Sequence, residues 1–143
     1  MVPEEKELLL VDLSARLPYG VICNLSAKDA DVSITEKLDL GGLEHFIFGT
    51  MDVLPYLRPV SSMTDEEIDK LFEILGIDLK GDDDGDWIKI NDVSGIEFFF
   101  GSGKWIEDVA EAYDYLNSIH IDYRGLIPMG LALEAKEGMY GKI

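Results

Sequence analysis

The 143-residue chain carries 29 acidic and 12 basic side chains, a formal net charge of −17, and 47% hydrophobic residues, enough for a packed core and too many for a wholly disordered chain. This balance works against sequence-independent nucleic-acid binding, which needs Lys and Arg to neutralise phosphates, and no apolar run reaches the about 20 residues of a membrane span. The start, Met1 to Lys6, lacks a signal-peptide pattern, and the single cysteine, Cys23, excludes an internal disulfide and a multi-cysteine zinc site, so an acidic, globular, cytoplasmic protein is expected.

Glu4 to Ala15 reads as a first helix. Acids in its opening turn suit the positive end of the helix dipole, and Leu10, Leu13 and Leu17, widened by Leu8 and Val11, give it an apolar face. Pro18 limits it. From Gly20 the texture turns to strands: Val21 to Leu25, Val32 to Leu38 in approximate alternation, and Leu43 to Phe48, joined by turns at Ser26 to Asp31 and at Gly41-Gly42. Three strands with short connections predict an antiparallel β-meander, either flat or curled into an SH3-like barrel, covered by the first helix. Pro55 and Pro59 then bracket Tyr56-Leu57-Arg58 as a stiff extended connector.

The next helix is the best punctuated. Thr64 and Glu67 form a T-x-x-E capping box, Ile68, Leu71, Phe72 and Leu75 repeat at helical spacing, and Gly76 stands where a left-handed cap belongs. An acidic loop follows, Gly81 to Asp86, then a predicted hairpin of Trp87 to Ile90 and Ile96 to Phe100. A third helix is expected from about Lys104 to Ser118, with Trp105, Ile106, Val109, Ala112, Tyr113 and Leu116 as one apolar stripe and acids on the other face. His120 is placed at its negative dipole end. The tail, Tyr123 to Ala135, suggests a short helix broken at Pro128 before an apolar Leu131-Ala132-Leu133.

These elements predict an α+β fold: the first helix with its meander in residues 1–60, and a helix–hairpin–helix layer plus tail in residues 61–143. A single domain over 1–143 is the alternative. Charge divides unevenly between the halves, with 10 acids and 5 bases in residues 1–60 against 19 and 7 in the rest. Between Asp65 and Asp86 ten acids face only Lys70 and Lys80, which describes either a solvated face or a partner surface.

Candidate chemistry is incomplete at each motif. Phe98 to Trp105 (FFFGSGKW) imitates a phosphate loop, but Phe98 stands where the first glycine belongs and Trp105 where the magnesium-binding hydroxyl belongs. Asp82, Asp84 and Asp86 are weak cation candidates. With Gly85 as the loop glycine of a calcium site, Lys80 and Asn91 occupy the first and last ligand positions, so a solvated turn is expected and no metal or other cofactor is implied. Cys23 among Val21, Ile22 and Leu25 reads as a core thiol. No catalytic residue stands out. The ligand or partner candidates are His120, Asp122, Tyr123 and Arg124, where the arginine either forks onto an internal carboxylate such as Asp122 or Glu134 or receives a ligand's carboxylate or phosphate.

Three stretches, ELLLVDLSARLPYGV (7–21), PYLRPVSSMTDEE (55–67) and IHIDYRGLIPMGLALEAKEGMY (119–140), resemble a family of small proteins of gut Bacteroidales bacteria and their phages or mobile elements. The blocks cover about 50 of 143 positions, and Ile119, Ile121 and Lys136 depart from the family's tail, where a histidine, a phenylalanine and a proline stand. The resemblance implies a bacterial or phage origin and a cytoplasmic setting; the family has no assigned activity, so no catalytic residue is carried over. The expected function is a non-catalytic, acidic protein-interaction module. A basic protein is the expected partner, with no direct nucleic acid and no membrane. The alternative is a small-ligand-binding protein or enzyme built on Asp122, Tyr123 and Arg124.

Overall fold

The computed structural model describes residues 1–28, 30–76, 87–91, 95–99 and 106–141, and its architecture is α+β. Two compact units emerge, Met1–Leu57 with Met129–Ile143, and Arg58–Pro128. The sequence groups the tail with the second half, whereas its contacts put residues from Met129 onward with the first unit.

In the first unit, helix α1 (Pro3–Arg16) has Pro3 in its first turn, where the missing N–H costs nothing, and Glu5 accepts from the Val2 N–H. Its buried face is Leu9, Asp12, Leu13 and Arg16, a stripe at helical spacing that includes two charged residues. Strands β1 (Ile22–Ala27) and β2 (Ser33–Lys37) form an antiparallel hairpin as expected. Leu43 to Phe48, predicted as the third strand, instead forms the latter part of helix α2 (Leu40–Ile47) and its C-cap, Phe48. The Asp39 side chain accepts from the Gly42 N–H at 2.8 Å and starts this helix, and only Gly42 and Phe46 are fully buried along it.

The strand that completes the antiparallel part is β3 (Met51–Leu57), so the segment read as a proline-bracketed connector is largely sheet. Pro55 is tolerated because it occupies the last register pair of the β1–β3 ladder, opposite Cys23. With α2 inserted between β2 and β3, β3 pairs with β1. The two-residue strand β6 (Leu133–Glu134) adds in parallel to Tyr56 and Leu57, giving the order β2-β1-β3-β6. Among the described residues the sheet is open, with edges at β2 and β6, and its strand order is neither that of a simple meander nor that of a barrel. Cys23, Leu25 and Val53 are buried on one sheet face, and Tyr140 closes the strand ends: its hydroxyl accepts from the Ile22 N–H at 2.9 Å and donates to the Tyr56 carbonyl at 2.6 Å.

The second unit follows the sequence more closely. Helix α3 (Asp65–Leu75) carries the expected capping box and ends at Gly76 with φ +66°. Strands β4 (Trp87–Asn91) and β5 (Gly95–Phe99) pair as the predicted hairpin, and helix α4 (Ile106–Ser118) packs against α3. Their core holds Val60, Met63, Leu71, Leu75, Ile96, Ala112, Leu116, Ile121 and Tyr123, with Ile68, Phe72 and Val109 at its margin. The short helix expected after Tyr123 does not form. Gly125 and Gly130 take φ of +72° and +77°, a conformation that a right-handed helix cannot contain. The acidic loop with Asp82, Asp84 and Asp86, and the FFFGSGKW turn from residue 100 to 105, lie outside the described residues.

Candidate functional site

The four candidates of the tail lie where the chain leaves α4. His120 adopts φ +63°, the left-handed region that turns the chain sharply after the helix. This turn delivers Ile121 beside Arg58: the Arg58 N–H donates to the His120 carbonyl and the Asp122 N–H to the Arg58 carbonyl, both at 2.8 Å. His120, expected at the negative dipole end of the helix, follows α4 in this turn and is buried.

Asp122 is buried and its two carboxylate oxygens accept backbone N–H bonds, Oδ1 from Leu126 at 2.8 Å and Oδ2 from Ile127 at 2.9 Å. The carboxylate thus folds the following turn. Tyr123 belongs to the core, its ring 4.9 Å from that of Tyr113. Arg124 lies over the Tyr123 ring at 5.0 Å, with Nη2 donating to the Tyr123 hydroxyl at 3.2 Å. Burial pushes the Tyr113 phenol up, reinforced by Tyr123 and opposed by the Arg124 charge. Tyr123 thus contacts both Tyr113, with the two rings tilted by 43°, and Arg124, while His120 and Asp122 shape the backbone on either side of it.

One largely buried ion pair of this unit was not legible as a site. Arg58 forks onto Glu67, and the guanidinium also donates to the Ser62 carbonyl at 2.9 Å. Glu67 Oε1 accepts in addition from the Thr64 N–H at 2.8 Å, so one carboxylate serves both the capping box and the ion pair. Burial pushes the Glu67 carboxyl up, but the hydrogen bonds from Arg58 and Thr64 and the Arg58 charge outweigh it and leave the group below its ordinary value. The capping box was a visible signal for Glu67. Nothing in the sequence pointed Arg58 at it.

In the first unit Cys23 is buried, and burial together with the Asp12 charge pushes its thiol up to about 12, with Arg16 opposing. Such a thiol supplies almost no thiolate at neutral pH and is a poor nucleophile. Asp12 and Arg16 form a fully buried pair, Nε to Oδ2 at 2.8 Å. His45, read within a strand, sits on α2 with Nδ1 at 2.8 Å from the Thr50 hydroxyl. Among the described residues no group of three or more His, Cys, Asp or Glu side chains converges as a metal site, and no helix is long and apolar enough to cross a membrane.

In contrast to these internal groups, Asp65, Glu66, Asp69 and Glu73 on α3 and Glu111 and Asp114 on α4 are exposed. Residues 58–128 hold 17 acids and six bases, so most of the chain's negative charge belongs to this unit. Comparison with protein-family models, with curated proteins and with solved structures gives no match.

Proposed function

We propose that the protein is a non-catalytic interaction module that presents an acidic surface to a basic protein partner. The observation that carries this reading is the division of labour among carboxylates in the second unit. Glu67 and Asp122 are engaged internally, on Arg58 and on backbone amides, while Asp65, Glu66, Asp69, Glu73, Glu111 and Asp114 face solvent on two packed helices. A field of this sign steers a positively charged partner and speeds its encounter, an effect that fades as salt rises. The cytoplasm of a bacterial cell is the proposed setting, and a protein that itself binds nucleic acid is the sharpest version of the partner.

The test is retention of bacterial lysate proteins on the immobilised chain over a salt series, beside the variant Asp69→Lys, Glu73→Lys, Glu111→Lys, Asp114→Lys. These four positions lie beyond the first turn of α3 and on the exposed face of α4, so helix capping is spared. Basic proteins should be retained at low salt, released as salt rises and lost with the variant. Recovery of no basic protein, or equal recovery by the variant, would overturn the reading.

A further inference from the structure

The edge strand β2 has a pattern that the acidic face does not explain. Residues 31–37 are exposed on both sides, and among the described residues β2 has a sheet neighbour only on its β1 side. Register places Ile34 opposite Leu25 and Glu36 opposite Cys23, so Val32 and Ile34 continue the apolar face that is buried on β1. Helix α2 lies on that same face, since a Cβ on Gly42 would sit 3.4 Å from Leu25 Cδ2. Its Leu40 is 68% exposed, and on the strand Val32 is 60% and Ile34 46% exposed. The apolar side of the sheet therefore runs on past its cover to an unpaired edge.

The hydrogen-bond phase of that edge is fixed. Ala27 N–H donates to the Val32 carbonyl and Leu38 N–H to the Val21 carbonyl, so even-numbered residues of β2 bond inward to β1. By the period of two, Ser33, Thr35 and Lys37 direct their N–H and C=O groups outward. A second antiparallel strand must pair odd positions with odd ones. About a two-fold axis at Ile34, a second copy of β2 does so: Ser33 meets Thr35, Asp31 meets Lys37, and Ile34 meets its own counterpart at a close, non-hydrogen-bonded pair. Shifting the axis to Thr35 would oppose Asp31 to Asp39. Charges that deter arbitrary strand addition thus become complementary to themselves in the register centred on Ile34.

We infer that β2 is a homodimerisation edge, on which a second copy of this chain adds antiparallel about Ile34 to make one continuous sheet. This goes beyond the acidic surface and is independent of it. The interface is small, so dimers form in the micromolar to millimolar range. Because both copies carry net negative charge, added salt strengthens the dimer, opposite to the salt response of a basic partner.

Sedimentation equilibrium of the full chain tests this. Asp31→Lys and Lys37→Asp should each weaken the dimer about tenfold by opposing like charges twice across the axis. The two single variants mixed together should form a heterodimer, and the double variant should dimerise like wild type. Thr35→Pro removes an outward N–H without touching the β1 ladder, so it should yield a monomer with an unchanged circular-dichroism spectrum. A wild-type chain that stays monomeric to millimolar concentration would overturn the inference. Single-charge variants that dimerise as wild type does would do the same.

Discussion

Arg58 and Glu67 meet through two parallel bonds, Nη1 to Oε2 at 2.8 Å and Nη2 to Oε1 at 2.7 Å, with both side chains about nine-tenths buried. The same guanidinium holds the Ser62 carbonyl and the same carboxylate holds the Thr64 N–H, so the pair ties the turn at Val60–Ser62 to the start of α3. Removing Glu67 leaves a largely buried guanidinium without its counter-charge and opens the cap. Glu67→Ala is therefore expected to cost about 3 kcal/mol, and Arg58→Lys, which cannot fork, about 1–2 kcal/mol. Both tryptophans, Trp87 and Trp105, belong to this unit, so urea unfolding followed by their fluorescence reads the change.

The same carboxylate gives the unit an acid-sensitive element. Burial raises the Glu67 carboxyl, but the Arg58 and Thr64 hydrogen bonds and the Arg58 charge bring it below its ordinary value of 4.5. A group depressed on folding contributes stability that is fully present above its unfolded value and is lost as pH falls through the folded one. The melting-temperature advantage of wild type over Glu67→Gln should thus be constant near neutrality and shrink on acidification below about pH 4.5. A difference unchanged down to pH 3 would contradict this assignment.

Gly95 separates a steric demand from a conformational one. It has φ +83°, and a Cβ there would collide with the Tyr123 carbonyl, whose oxygen accepts the neighbouring Ile96 N–H at 2.9 Å. Gly138 has φ +75° with nothing near. Gly95→Ala should cost about 3 kcal/mol or more, and Gly138→Ala about 1 kcal/mol, from backbone strain alone. Thermal unfolding of the two variants checks the contrast.

Asp122 makes two charge-assisted bonds to backbone amides. Asp122→Ala should destabilise the second unit by about 2–3 kcal/mol, and Asp122→Asn by less, because its one carbonyl oxygen still satisfies one amide. Amide hydrogen exchange at Leu126 and Ile127 should accelerate in both.

Elements defined by local chemistry were legible in the sequence. Thr64, Glu67, Gly76 and the apolar spacing between them mark α3 without reference to any other part of the chain. Residues 43–48 were misread because Phe46, Ile47 and Phe48 favour strands and six residues are too few to separate a period of two from 3.6; the Asp39 cap decides for the helix. On α1 the buried stripe was hidden because Asp12 and Arg16 neutralise one another inside it, and a pattern read by hydropathy assigns both to solvent. Of the tail candidates, Tyr123 and Arg124 come together. The meeting of Arg58 with His120 and Asp122 depends on pairing across some 60 residues, which no local pattern encodes.

Cys23 supplies a chemical probe of the first unit. With its thiol buried and pushed up to about 12, it should resist a disulfide reagent at neutral pH in the native protein and react fully in urea. Rapid native reaction would show that the sheet opens locally around β1.

The pairing of β3 with β6 has a consequence for biosynthesis. Tyr56 and Leu57 leave the ribosome long before Leu133 and Glu134, and the Tyr140 hydroxyl that ties Ile22 to Tyr56 arrives later still. Residues 58–128, a continuous segment, can assemble during translation, whereas the unit containing the first residues must wait for nearly the last. A premature stop codon in the tail would therefore injure the beginning of the protein and spare its middle.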